Sequence, residues 1–152
     1  MRRLLVFLLL PYVARWIANQ ERRILAEGVA LDADGIADAR RIGVSEPERV
    51  RLLRVREVPQ PGGALIAMLG RWVGMPAEQT AGMSLRYGIF VRADVWGDRR
   101  LVAHELAHTA QYERLGGVRP FLRQYLMECL TTGYADAAME LEAIAAAAMV
   151  DK

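Results

Sequence analysis

Two histidines and a glutamate lie close together in the segment His104-Glu105-Leu106-Ala107-His108. Residues four apart lie on one face of an α-helix, so the two imidazoles could bind a single metal ion. Glu105 would lie beside that ion, where a carboxylate can take a proton from an attacking water. The segment therefore predicts a metal site with hydrolytic chemistry, in which His104 and His108 are ligands and Glu105 is the general base.

The residues around this segment predict a helix that would hold it. Asp98 can cap a helix that begins near Arg99, and Gly116 with Gly117 can end it. Apolar residues recur between these ends at helical spacing, namely Leu101, Val102, Ala103, Leu106 and Ala110. The two histidines would then lie in the middle of the helix beside apolar positions, as a buried pair of metal ligands requires.

A catalytic zinc ion commonly has three protein ligands, so one more is needed. The chain has only two histidines, which leaves a carboxylate or the single cysteine, Cys129, for this role. Glu140 is the strongest candidate, because a helix that carries it could face the histidines across the ion. Glu142 is the nearest rival, although it would point away from Glu140 on the same helix. Asp136 and Glu128 are further candidates, and Asp136 could instead orient a ligand.

Hydrolysis of a peptide bond also needs a donor for the negative charge that develops on the carbonyl oxygen. No histidine remains for this role, so we expect a tyrosine. Tyr134 is nearest to the Glu140 segment, and Tyr112 lies one turn past His108 on nearly the same face. Either tyrosine could equally be a core residue whose hydroxyl is satisfied by a neighbour.

The chain has 152 residues, enough for a single domain with a substantial core. We expect a mostly helical α+β fold, with residues 1–45 as an N-terminal helical segment and residues 46–152 as a catalytic core. Strands are predicted from Val50 to Val58 and from Ser84 to Arg92, the second as the edge strand of a small sheet, where an extended substrate could add. Further helices are expected at 31–43, 64–73, 119–130 and 135–149, with a break at Gly74-Met75-Pro76.

The composition is that of an ordinary globular protein, with 53% apolar residues, 25% charged residues and a formal net charge of +2. The arginines are scattered and no basic run alternates with aromatic residues, so we expect no nucleic-acid partner. A single cysteine excludes an intramolecular disulfide framework. Unless it binds metal, Cys129 is expected to be a small apolar residue within a helix.

The first residues, Arg2-Arg3 and an apolar run from Leu4 to Leu10, resemble the start of a short signal peptide. No small-x-small cleavage site follows convincingly, and polar residues interrupt the run too soon for a membrane-spanning helix. We expect a helix to about Ala26 that docks on the domain, with a membrane surface or a cleaved signal as alternatives. The expected location is cytoplasmic, with membrane contact through residues 1–27 or export as alternatives.

The order of these features resembles that of gluzincins, the zinc peptidases with two histidines and a glutamate as ligands, of which thermolysin is a familiar member. The similar segments are Tyr87–Val91 as the strand, residues 104–108 as H-E-x-x-H and residues 140–143 as E-x-E-A. Gln111 also completes the pattern H-E-L-x-H-x-x-Q. This pattern is similar to that of small bacterial metallopeptidase-like domains, including domains attached to contractile-injection-system cargo. The resemblance covers roughly residues 80–147.

This resemblance implies a zincin-like fold, a Zn²⁺ cofactor, and the two histidines with Glu140 as its ligands. It also implies Glu105 as the general base. Many gluzincins have an aspartate four residues after the ligand glutamate, where this chain has Ile144. Asp136 could take the place of that aspartate.

The function expected from these observations is that of a zinc-dependent metallopeptidase acting on a peptide or protein substrate. Glu105 would be its general base and Tyr134 a second catalytic residue. The alternative is a non-catalytic zinc-binding or protein-interaction domain derived from a zincin, which keeps the ligands without a substrate cleft.

Overall fold

The structure is a computed structural model that describes residues 1–72, 74 and 80–150. The helices in these residues are α1 (Arg2–Glu27), α2 (Ala33–Ile42), α3 (Ala64–Trp72), α4 (Arg99–Leu115), α5 (Val118–Thr132) and α6 (Ala138–Met149). The strands are β1 (Val29–Ala30), β2 (Arg51–Val55), β3 (Gly82–Leu85) and β4 (Gly88–Arg92). The predicted α+β, mostly helical fold is confirmed.

The four strands form one mixed sheet with the order β1-β2-β4-β3. Strands β2 and β4 are parallel, while the outer pairs β1/β2 and β3/β4 are antiparallel. The single strand predicted from Ser84 to Arg92 is wrong, because the chain turns at Arg86 and Tyr87 and forms the hairpin β3/β4. The edge strand that precedes α4 in sequence is therefore β3, and β4 lies inside the sheet.

Helices cover both faces of the sheet, and the side chains of β4 alternate between them. Phe90 packs in one core cluster with Ile24 of α1, whereas Ile89 packs in another with Leu106 of α4. Helix α1 comes so close to β4 that a Cβ atom at Gly88 would lie 2.9 Å from Cβ of Ile24. Ile24 of α1 and Leu106 of α4 therefore pack on opposite faces of the sheet.

The N-terminal helix α1 docks on the domain, as expected, and packs against β4 and α5. Pro11 lies inside this helix and does not end it. The apolar residues that α1 buries are Val6, Ala14, Ile17 and Ile24. Among the residues described, no helix is both long enough and apolar enough to cross a membrane.

The ends of α4 follow the prediction. The carboxylate of Asp98 accepts hydrogen bonds from the backbone N–H groups of Arg100 and Leu101, at 3.0 and 3.1 Å. Gly116 ends the helix with a left-handed backbone at φ 94°, which glycine adopts without the strain of a side chain. The motif helix is therefore fixed by its own terminal residues.

The sequence also predicted boundaries for α3 and α6. Helix α3 spans Ala64–Trp72 within the described residues, and both its predicted last residue, Val73, and the predicted break at Met75-Pro76 lie outside them. Helix α6 begins at Ala138 rather than Ala135, so the predicted start was three residues too early.

Candidate metal centre

Two packed helices bring His104, His108 and Glu140 together. Helices α4 and α6 meet through small side chains, namely Ala103, Ala107, Ala143, Ala146 and Ala147. Alanines allow the two backbones to approach closely. Across this contact, Nε2 of His104 lies 3.2 Å from Oε2 of Glu140, and Nε2 of His108 lies 3.2 Å from Oε1 of the same carboxylate.

The three side chains fit a common metal ion. Their ligand atoms all lie within 4.8 Å of one another. In a tetrahedral site with bonds of about 2.0–2.2 Å, neighbouring ligand atoms are roughly 3.3–3.6 Å apart, close to the two nitrogen–oxygen distances seen here. Two imidazoles and one carboxylate also form a donor set that zinc favours. The group could therefore hold a metal ion.

Contacts within this group shift the pKa values of Glu140 and His108. Burial alone would raise the pKa of the Glu140 carboxyl, but hydrogen bonds with His104 and His108 outweigh it and hold that pKa far below its usual range. Burial alone would lower the pKa of His108, but the neighbouring carboxylates Glu140 and Glu105 leave it raised. Glu140 is thus held as the anion that a metal ligand must be.

A chain of hydrogen bonds sets the orientation of His108. Its Nδ1 lies 2.8 Å from Oε1 of Gln111, whose Nε2 donates to the carbonyl of Met139 at 2.9 Å and to Glu142 at 3.0 Å. Both of these partners are acceptors, so the amide oxygen must face His108 and Nδ1 must carry the proton. Arg114 completes the chain by donating to both carboxylate oxygens of Glu142. Nε2 of His108, which lies 3.2 Å from Glu140, is then the nitrogen that a metal ion would bind in place of a proton.

The rival ligand candidates lie outside this group. Glu142 is held by Gln111 in the chain just described. Glu128 accepts a hydrogen bond from the backbone N–H of Met139 at 2.9 Å, which stabilises the start of α6. Asp136 is exposed and precedes α6, so it does not share a helix face with Glu140. Cys129 is a buried core residue, and burial raises the pKa of its thiol to about 12.

Glu105 lies beside the three ligand candidates, under the edge strand. Its carboxylate is buried, and a Cβ atom at Gly82 of β3 would lie 3.1 Å from its Oε1. Burial raises the pKa of the Glu105 carboxyl, against the opposing charges of His108 and His104. A carboxylate with a raised pKa is a stronger base, which is what proton transfer near neutral pH requires.

Three tyrosines lie near the site, and their contacts differ. The hydroxyl of Tyr125 donates to Oε1 of Glu140 at 2.6 Å, although no sequence pattern distinguished this residue from a core aromatic. Tyr134 is half-buried, and burial together with the neighbouring carboxylates Glu140 and Glu105 raises its pKa. Tyr112 is a core residue, because its ring stacks on Phe121 at a centroid distance of 3.6 Å.

The site opens into a largely apolar cleft of about 670 Å³ between α1, α3, β3, α4, α5 and α6. His104, Glu105, His108, Tyr134 and Glu140 line one part of it. Apolar side chains that line the rest include Leu10, Val13, Trp16, Met83, Leu122 and Leu126. The cleft thus offers room for a ligand next to the polar group.

Comparison of the chain with protein-family models, with curated proteins and with solved structures found no match.

Proposed function

We propose that this protein is a zinc-dependent peptidase in which His104, His108 and Glu140 are the metal ligands. The observation that carries the proposal is the pair of 3.2 Å distances that join both imidazoles to the one carboxylate, next to a buried Glu105. Structural zinc sites are closed by four protein ligands, whereas catalytic sites have three and leave a position open. Three ligands that line a cleft favour the catalytic kind.

The zinc ion, when bound, supplies Lewis acidity that polarises a peptide carbonyl and activates water. Glu105 takes the proton from the attacking water and passes it to the nitrogen of the leaving group. Its raised pKa supports this role. Tyr134 donates a hydrogen bond to the carbonyl oxygen as negative charge develops there, while Tyr125 holds the Glu140 carboxylate in place.

The walls of the cleft favour a particular kind of peptide. Strand β3 is an edge strand and lines the cleft, so an extended peptide could pair with it through backbone hydrogen bonds. The remaining walls are mostly apolar, contributed by α1 and α5 among other elements. We infer that large apolar side chains next to the cleaved bond are preferred.

The proposal is tested by metal content and by cleavage of a peptide mixture rich in apolar residues. The wild-type chain should bind about one zinc ion per molecule. Glu105→Gln should keep the zinc and lose roughly 10²–10⁴-fold in cleavage rate, because only the proton acceptor is removed. The exposed Glu57 provides the matched control, Glu57→Gln, which should leave both quantities unchanged.

Three results would contradict this function. If the wild-type chain binds no zinc, the proposed metal site is wrong. If Glu105→Gln cleaves peptides at the full rate, Glu105 is not the general base. Zinc binding without cleavage, and without binding of a hydroxamate inhibitor, would instead indicate a non-catalytic zinc domain.

A further inference from the structure

The N-terminal half of α1 has an apolar face that the rest of the domain leaves uncovered. Leu4, Phe7, Leu8 and Tyr12 are 63%, 45%, 68% and 52% exposed, and their spacing places them on one side of the helix. The opposite side carries Val6, which is buried. Single exposed apolar residues are ordinary, but a continuous row of large ones marks a binding surface.

A groove between α1 and α5 extends this face. It has a volume of about 610 Å³, and its apolar lining includes Phe7, Leu10 and Met127. Arg119 and Arg123 of α5 also line it, and the guanidinium carbon of Arg123 lies 5.5 Å from the ring centroid of Phe7. The groove therefore combines an apolar surface with two cations.

Where the structure describes them, the arginines around this surface are not paired with carboxylates. Residues 1–20 contain three arginines and no aspartate or glutamate. Arg3 and Arg15 on α1 are exposed, as are Arg119 and Arg123 on α5. Within the described part of the chain, none of these four arginines has a carboxylate within 4.0 Å. Four arginines without acidic partners and an apolar row match an anionic surface with an apolar interior.

We propose that this surface, formed by the exposed face of α1 and the α1–α5 groove, binds the surface of an anionic lipid bilayer. The helix lies in the plane of the membrane, with Leu4, Leu8 and Tyr12 at the boundary between headgroups and acyl chains. Arg119 and Arg123 contact lipid phosphates. From Leu4 to Tyr12 the helix rises only about 12 Å, so the contact is short and binding is reversible.

Charge argues against a second copy of the chain as the occupant. In a two-fold symmetric dimer each face would meet an identical face, as every isologous interface requires. The four arginines of one copy would then lie near those of the other, without carboxylates to balance them. Such a dimer would cover the apolar row, but repulsion between the arginines of the two copies would oppose it.

The test is co-sedimentation of the full chain with lipid vesicles, made either of phosphatidylcholine alone or of phosphatidylcholine mixed with phosphatidylserine. The wild-type chain should bind the mixed vesicles and not the neutral ones. Each arginine near an anionic surface strengthens binding by about fivefold, so Arg119→Gln with Arg123→Gln should weaken it by about 30-fold. Leu4→Gln with Leu8→Gln should also weaken binding, because these side chains would no longer enter the apolar boundary.

A matched control removes the same charge elsewhere. Arg40 and Arg41 are exposed on α2, which packs against α4 on the other side of the sheet from α1. Arg40→Gln with Arg41→Gln should therefore retain binding to the mixed vesicles. Equal binding to both vesicle types, or no binding to either, would overturn the proposal. A wild-type dimer that Leu4→Gln with Leu8→Gln abolishes, in a chain that binds no vesicles, would identify a self-association surface and overturn it as well.

Discussion

Oε1 of Gln111 lies 2.8 Å from Nδ1 of His108, and this contact determines which imidazole nitrogen can bind a metal. Because the amide nitrogen of Gln111 already donates to Met139 and Glu142, its oxygen has to accept from Nδ1–H. Nε2, which faces Glu140, is then the nitrogen that gives up its proton when a metal binds. Gln111 lies three residues after the second histidine of the motif. It therefore fixes the orientation of a ligand, although it would not itself bind the metal.

Replacing Gln111 should weaken zinc binding while leaving all three ligands in place. Gln111→Leu removes the acceptor for Nδ1–H, so the imidazole is no longer held in one tautomer and orientation. We expect a loss of roughly 10–100-fold in zinc affinity, measured by competition with a chelator. Gln20→Leu is the control, because it also exchanges a glutamine for leucine but lies on α1, outside the site. Equal affinity in the two variants would contradict the role given to Gln111.

Glu140 and Glu142 can be separated by the same measurement. Glu140→Gln replaces the anionic carboxylate ligand by a neutral amide, so its loss of zinc affinity should exceed the roughly 10–100-fold expected when only a hydrogen-bonding partner of a ligand is lost. Glu142→Gln removes the same charge two residues away but leaves the ligand set intact, and its loss should stay within that range. Comparable losses in both variants would mean that the carboxylate at position 140 is not a ligand.

Substitution of Tyr125 should change zinc affinity, whereas substitution of Tyr134 should change kcat. Tyr125 contributes the 2.6 Å hydrogen bond to Glu140, so Tyr125→Phe should lower zinc affinity and have little effect on kcat once zinc is saturating. Tyr134→Phe should keep zinc affinity and lower kcat by roughly 10²-fold, because a donor to the developing oxyanion is lost. The measurements are chelator competition and peptide cleavage at saturating zinc. An unchanged kcat in Tyr134→Phe would remove this tyrosine from the proposed chemistry.

Local signals in the sequence were sufficient to predict the motif helix. Asp98, the apolar spacing and Gly116 act within one helix, so their effects do not depend on distant residues. The placement of Glu140 beside the two histidines required one further step, the approach of two helices through alanines. The hydrogen bonds from Tyr125 to Glu140 and from Gln111 to the carbonyl of Met139 could not be assigned in this way, because they join residues 15 and 28 positions apart.

The hairpin β3/β4 shows why one strand prediction failed. Its turn begins at Arg86, which has a φ of 68°, in the left-handed region that glycine usually occupies. Neither of the two turn positions, 86 and 87, is occupied by glycine, asparagine or proline, so the sequence does not indicate a turn there. Tertiary contacts hold it instead, because Nε of Arg86 lies 3.6 Å from Glu21 on α1 and Thr109 on α4 donates to the Arg86 carbonyl at 2.7 Å. These contacts exist only in the folded chain.

An ion pair between α2 and the first residue of α4 should make stability depend on acid pH. Arg99 donates to both carboxylate oxygens of the buried Asp38, at 2.7 and 2.8 Å. The hydrogen bonds from Arg99 keep the pKa of Asp38 below its ordinary value, even though burial opposes this shift. The unfolded chain therefore takes up the proton first as the pH falls, so the stabilisation is complete above about pH 4 and is lost below it.

Asp38→Asn should then lower the free energy of unfolding by about 1–2 kcal/mol at pH 7, a modest value because the Arg99 side chain is 57% exposed and its charge is screened by solvent. At pH 3 the difference from the wild-type chain should be smaller, since part of the wild-type stabilisation is already lost there. Urea unfolding at the two pH values measures both differences. Asp34→Asn, at an exposed position of the same helix, is the control and should show no comparable pH dependence. If Asp38→Asn costs the same at pH 3 as at pH 7, the ion pair with Arg99 does not stabilise the fold through the charge of Asp38.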